Sequence, residues 1–109
     1  MVVGKVHVGD VNTDIILTVQ ETVSGSNIAL NLQSNPYSSL KVILSDPDNN
    51  ESEHTASLVN SPGTDGKIHY LNTNSTTFDE SGAWKAKAKV TLADGSIFTS
   101  NEIIFEVLD

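Results

Sequence analysis

The run Asp46, Pro47, Asp48, Asn49, Asn50, Glu51, Ser52, Glu53 gathers oxygen donors at alternate positions, the opening pattern of a calcium-binding loop. Such a loop needs a glycine after the third donor, a bidentate glutamate at its end and a helix on either side. Here Glu51 and Ser57 stand at those two positions and no helical pattern flanks them. A turn-prone hairpin tip is the expectation, with a calcium site of different geometry as its alternative, and no metal ligand is assigned.

The other candidates for chemistry fail on spacing or phase. Histidines could bind a metal only if they converged. Strand phase instead turns His7 to solvent between Val6 and Val8, sets His69 opposite Ile68 and Tyr70, and gives His54 the phase of Ala56 and Leu58. These are expected to be surface or edge residues. Gly63, Gly66 and Lys67 lack the glycine spacing of a phosphate loop, and Ile68 stands where a hydroxyl would meet magnesium. No G-x-S-x-G turn occurs, and no acid, base and nucleophile share a strand phase. Neither a cofactor nor an enzymatic activity is expected.

Composition narrows the field further. The 109 residues contain no cysteine, and all six basic residues are lysine, against 14 acidic ones. Disulfides and thiolate chemistry are thereby excluded. A formal charge of -8 and the lack of arginine argue against nucleic acid as a partner. No apolar run approaches the ~18 residues of a membrane-spanning helix, and MVVGKVHVGD has no secretory h-region, so neither a membrane nor a secretory route is expected.

The elements that must position any site are strands. Helical periodicity is missing, whereas period-two alternation broken by Gly, Pro, Asn, Asp and Ser recurs about every ten residues. This predicts a single all-β domain over 1–109, an antiparallel β-sandwich of about seven or eight strands. The expected strands cover Lys5 to Val8, Thr13 to Gln20, Ile28 to Leu32, a segment with Leu40, Val42 and Leu44 inward, Glu53 to Val59, Lys67 to Leu71, the Trp84 strand, and Ile97 to Val107. Trp84, Ala86, Ala88, Val90 and Leu92 alternate with Lys85, Lys87, Lys89 and Thr91, giving that strand a dry and a wet face. One helical turn at most is expected at Asp79 to Gly82, and Ala93, Asp94, Gly95 is expected to be a hairpin turn.

The Lys85, Lys87, Lys89 row gives the surface a direction. Lysine on the wet side of a strand ordinarily keeps a sheet soluble. Ile43 and Ile104 fall on the outward phase of their own strands, and beside the lysines they would form an amphipathic docking patch for an acidic neighbour.

Glu80, Ser81, Gly82, Ala83, Trp84, Lys85, Ala86 resemble the corner of immunoglobulin domains, with Trp84 in the tyrosine position and Ala86 in the cysteine position. Three longer pieces, VHVGDVNTDIILTVQE, LKVILSDPDNNESEHTASLV and DGKIHYLN followed by FDESGAWKAKAKVTLADGS, resemble the N-terminal immunoglobulin-like domain of phage baseplate upper proteins and the small stand-alone phage proteins related to it. The resemblance implies an immunoglobulin-like fold and a non-enzymatic virion component, docking or decorating tail, baseplate or capsid. It also implies other virion subunits as partners and a homo-oligomeric arrangement in the particle. The chain's end at Asp109, without the trimeric and receptor-side regions of a baseplate upper protein, favours an accessory or decoration role. The alternative is a carbohydrate-binding or adhesion module, for which Tyr37 beside Pro36 is the loop aromatic.

Overall fold

The computed structural model describes residues 6–11, 13–100 and 102–109, and among these no residue is helical. The eleven strands are β1 (Val6–His7), β2 (Thr13–Thr18), β3 (Gln20–Val23), β4 (Ser26–Ala29), β5 (Tyr37–Ser45), β6 (Glu51–Thr55), β7 (Ser57–Leu58), β8 (Lys67–Asn72), β9 (Gly82–Leu92), β10 (Ile97–Thr99) and β11 (Ile103–Leu108). They form a six-stranded sheet ordered β1-β11-β9-β5-β6, with β10 also on β9, and a three-stranded sheet ordered β2-β8-β7. The remaining two, β3 and β4, make a separate ribbon. Among the described residues only β1, parallel to β11, departs from antiparallel pairing.

The two sheets share one core. Val42, Leu44, Ala86, Ala88 and Val90 from the larger sheet pack with Ile15, Leu17 and Ile68 from the smaller. On β9 the predicted alternation is complete: Trp84, Ala86, Ala88, Val90 and Leu92 are buried and Lys85, Lys87 and Lys89 are half-buried. Ala86 and Ala88 are enclosed almost completely, and Trp84 is the bulkiest side chain of the same buried row.

Trp84 is held by a hydrogen bond and by ring packing. Its indole N–H donates to the Glu80 carbonyl at 2.8 Å, closing the corner that leads into β9. The ring meets Phe78 edge to face at 5.3 Å, and Phe78 meets Phe105 in the same way at 5.9 Å. Gly82, at φ +132°, lies directly under Pro47, so that a Cβ would stand 2.8 Å from the proline Cγ. The corner and the β5–β6 tip can therefore pack together only with glycine there.

A second close approach joins the ribbon to the smaller sheet. Gly66 accepts from the Val19 N–H at 2.9 Å, and Val19 accepts from the Leu30 N–H at 2.9 Å. A side chain at Gly66 would stand 2.6 Å from the Val19 carbonyl oxygen. Buried Asn72 ties the loops at the opposite end, donating to Asp10 O at 2.8 Å and accepting from Asn74 N–H at 3.1 Å.

Several expectations change. The expected seven or eight strands become eleven among the described residues because long runs break where the chain leaves one partner for another. Glu53 to Val59 divides at Ala56, with β6 joining the larger sheet and β7 the smaller. Ile97 to Val107 divides around Ser100, whose N–H donates to Ala88 O and whose hydroxyl accepts from Ala88 N–H. Thr99 and Ile103 are four positions apart, whereas their β9 partners Lys89 and Ala86 are three apart. That extra residue inverts the side-chain phase. Ser24 and Gly25 form the two-residue turn between β3 and β4, both having positive φ (51° and 81°).

Trp84→Ala should destabilise the protein by about 3–5 kcal/mol in urea denaturation. Trp84→Phe, which keeps the aromatic packing but loses the bond to Glu80, should cost a smaller amount, about 1 kcal/mol for that bond.

Candidate functional site

The outward face of the larger sheet carries every residue proposed from sequence as an interface, though not in the expected way. Register places Lys85 between Ile104 and Ser45, Lys87 opposite Ile43, and Lys89 opposite Lys41. Four of the six lysines of a strongly acidic chain thus share this face. Lys41 was not anticipated: its outward phase was legible, but its position across from Lys89 depends on register. Like charges directly opposite disfavour the pairing, and Lys41 Nζ turns instead to Thr55 Oγ1 at 3.3 Å.

Ile43 requires a correction. It faces outward as its phase implies, yet it is only 8% exposed and so is no open contact residue. Its strand lies between two neighbours, with Lys87 on one side and Glu53 on the other. The Lys87 ammonium reaches across β5 to the Glu51 carboxylate at 3.8 Å, so the lysine stem roofs the isoleucine. Being exposed, that ion pair itself contributes at most about 1 kcal/mol, and the apolar cover is its larger consequence.

Ile104, by contrast, is 70% exposed on β11 beside Lys85, and Ile97 is 58% exposed on β10 beside Thr91. Ile97 was not singled out from sequence, since its outward direction follows from the phase inversion at Ser100. Glutamates flank the lysines on both sides, Glu51 and Glu53 on β6 and Glu106 on β11. The open apolar residues of the face therefore lie along β10 and β11, with lysines next to them.

The acidic tip is a hairpin turn. Asp46 Oδ1 accepts from the Asp48 and Asn50 N–H groups at 3.0 and 2.8 Å, and Asn49 takes positive φ. Packing of Pro47 on Gly82 brings a residue from the following corner to this tip, which no local pattern could announce. The ligand-competent oxygens of Asp46, Asp48 and Glu80 all lie within 4.8 Å of one another. Glu51 and Glu53 of the sequence candidate are not in this group, while the Asn50 side-chain amide donates to Asp46 Oδ2 at 3.3 Å.

The histidines remain apart from one another. His7 is exposed on β1, and His69 contacts Asp14 at 2.7 Å across β2 and β8. His54 is better covered than a surface position: it stacks on Tyr70 at 4.5 Å, joining β6 of one sheet to β8 of the other, and shares a 2.9 Å hydrogen bond with Ser52 Oγ. Tyr37, proposed as a loop aromatic, is the first residue of β5, paired with Leu92 and 39% exposed.

No family model, no curated protein and no solved structure matches this chain.

The tip and the sheet junction have opposite pH signatures. Partial desolvation against the corner, followed by the negative charges of Asp48, Asp46 and Asp79, holds the Glu80 carboxyl above its ordinary value of 4.5. The folded state keeps a proton there that the unfolded chain releases, so stability falls as pH rises from 4.5 through the raised value. Glu80→Gln, which leaves the carbonyl that receives Trp84 in place, should raise the melting temperature at neutral pH, with the gain disappearing below pH 4.5. Burial holds His54 below its ordinary 6.5, so its contribution is present above 6.5 and lost as pH falls through the lowered folded value. His54→Phe should remove that loss from thermal melts recorded between neutral and acid pH.

Proposed function

We propose that this chain is a non-enzymatic docking module of a phage virion, an immunoglobulin-like β-sandwich that joins or decorates tail, baseplate or capsid subunits in multiple copies. The strand orders β1-β11-β9-β5-β6 and β2-β8-β7 support the immunoglobulin-like reading, as does the corner in which Trp84 bonds back to Glu80. The sequence resemblance supplies the virion context.

The observation that carries the docking role is the outward face of the larger sheet. Ile104 and Ile97 are widely exposed there next to Lys85 and Lys89, in a molecule whose net charge is -8. An interface of this make-up fits a partner surface with an apolar centre and acidic rim: desolvation of the isoleucines gives affinity and the lysines guide the encounter. The face's own glutamates limit its positive field to the middle strands. That favours a partner matched residue by residue over a broad polyanion.

The test is incorporation into particles after complementation of a deletion strain, with folding measured separately on purified protein. Ile104→Asp combined with Ile97→Asp should leave the fold intact and lower incorporation about tenfold or more, as expected for removal of an interface centre. Lys89→Gln should give a smaller, salt-dependent loss. Ile43→Asp should act through stability, costing at least about 2–5 kcal/mol, because it empties a buried aliphatic site. Normal incorporation of the double variant would exclude this face, and absence of the unaltered protein from particles would exclude the virion role.

A further inference from the structure

Among the described residues β10 pairs with β9 alone and β3 with β4 alone, and these two strands lie close to each other. Hydrogen bonding alternates along an antiparallel pair, so residues between bonded pairs turn their N–H and C=O away from the partner. Beside β9 the bonded pairs include Leu92 with Ser96 and Ala88 with Ser100, at 2.8 and 2.9 Å. Phe98 with Val90 falls in step with these, which turns the backbone groups of Ile97 and Thr99 outward from the sheet.

In the ribbon, the Leu30 N–H to Val19 O bond sets the same alternation. Glu21 with Ile28 and Val23 with Ser26 are then the bonded pairs, and Gln20 and Thr22 face away from β4. Gln20 and Thr22 of β3 and Thr99 of β10 line one cleft together with Leu17, Ile103 and Asn27 of β4. No residue lining this cleft is ionisable, although the chain has 20 acidic and basic residues. The edge of β6 is different: it carries Glu51 and Glu53, charges that discourage edge-to-edge pairing.

We propose that this cleft accepts a strand: an extended, uncharged segment of another polypeptide inserts between β3 and β10 and completes a ladder on both of its sides. Its N–H and C=O groups would meet Gln20 and Thr22 on one edge and Ile97 and Thr99 on the other. One row of its side chains would face Leu17 and Ile103 and the other row water, so the segment alternates apolar and neutral polar residues. Cα atoms of β3 and β10 approach within 8 Å, whereas a strand between them needs about 10 Å, twice the usual spacing. The ribbon beyond its Val19–Gly66 anchor therefore has to swing outward there by at least about 2 Å, since past that anchor β3 pairs with β4 alone. Recognition through uncharged main chain also makes the contact insensitive to salt, unlike docking through the lysine face.

The probe is a displayed library of random peptides selected on the full chain. Enriched peptides should alternate apolar and polar residues and bind equally at low and high salt. They should also slow amide exchange at Gln20, Thr22, Ile97 and Thr99, amides that exchange freely in the protein alone. Thr99→Pro removes an outward N–H without touching the ladder to β9, and should weaken binding about tenfold or more. N-methylation of alternate peptide residues should do the same with the protein unaltered, so the test survives if the proline variant does not fold. Lys87→Gln should leave peptide binding unchanged. Failure to enrich any peptide, equal binding of N-methylated peptide, or protection of the four amides before peptide is added would each overturn the proposal.

Discussion

Most of the larger sheet is organised by β9, which pairs with β5 on one side and with β10 and β11 in succession on the other. Its register sets the inward rows that meet the smaller sheet and the outward rows that carry the lysines. The strand in turn depends on its entry corner, where Trp84 bonds back to the Glu80 carbonyl and packs on Phe78. Slippage of β9 by one residue would send Trp84 to solvent and the lysines into the core. One anchored aromatic residue and an unbroken alternation are therefore enough to fix the direction of nearly every side chain on this sheet.

The corner also determines what lies beside it. Gly82 leaves room for Pro47, and the contact draws the β5–β6 tip against the corner until the Glu80 carboxyl joins those of Asp46 and Asp48. Like charges are gathered here as a by-product of packing. The raised Glu80 proton affinity is the electrostatic consequence, because a neutral carboxylic acid relieves both desolvation and repulsion. On the outward face the compromise runs the other way. Lys87 reaches over Ile43 to Glu51, so a charged side chain encloses an apolar one without entering the core.

Irregularities at the sheet edges create the surfaces that remain open. At Ser100 the added residue turns Ile97 outward and Ile103 inward, although both occupy odd positions in what reads as one strand. At Ala56 the chain crosses from the larger sheet to the smaller, and at Val19 the ribbon takes over from β8 as the neighbour of the same extended segment. At each switch the backbone bonds pass to a new partner, and the neighbouring strands β3, β6, β7 and β10 each pair on one side alone among the described residues. Such places offer more to another molecule than the closed centre of the sandwich does.

The all-β character, the dry and wet faces of β9, the inward sides of β2 and β5 and the Asp-Gly hairpin were legible in the sequence, since period-two alternation and turn residues act locally. Ile104 was legible for the same reason: phase alone sends it outward on a strand next to the sheet margin. Phase could not tell that Ile43, equally outward, would be roofed, because that cover comes from Lys87 and Glu51 on two neighbouring strands. Nor could it place Lys41 across from Lys89, bring Glu80 to Asp46 and Asp48, or stack His54 on Tyr70. Side-chain direction belongs to a strand and is written in the sequence at spacings of two. Exposure, charge clustering and cleft walls belong to pairs of strands distant in sequence, and only register and sheet packing decide them.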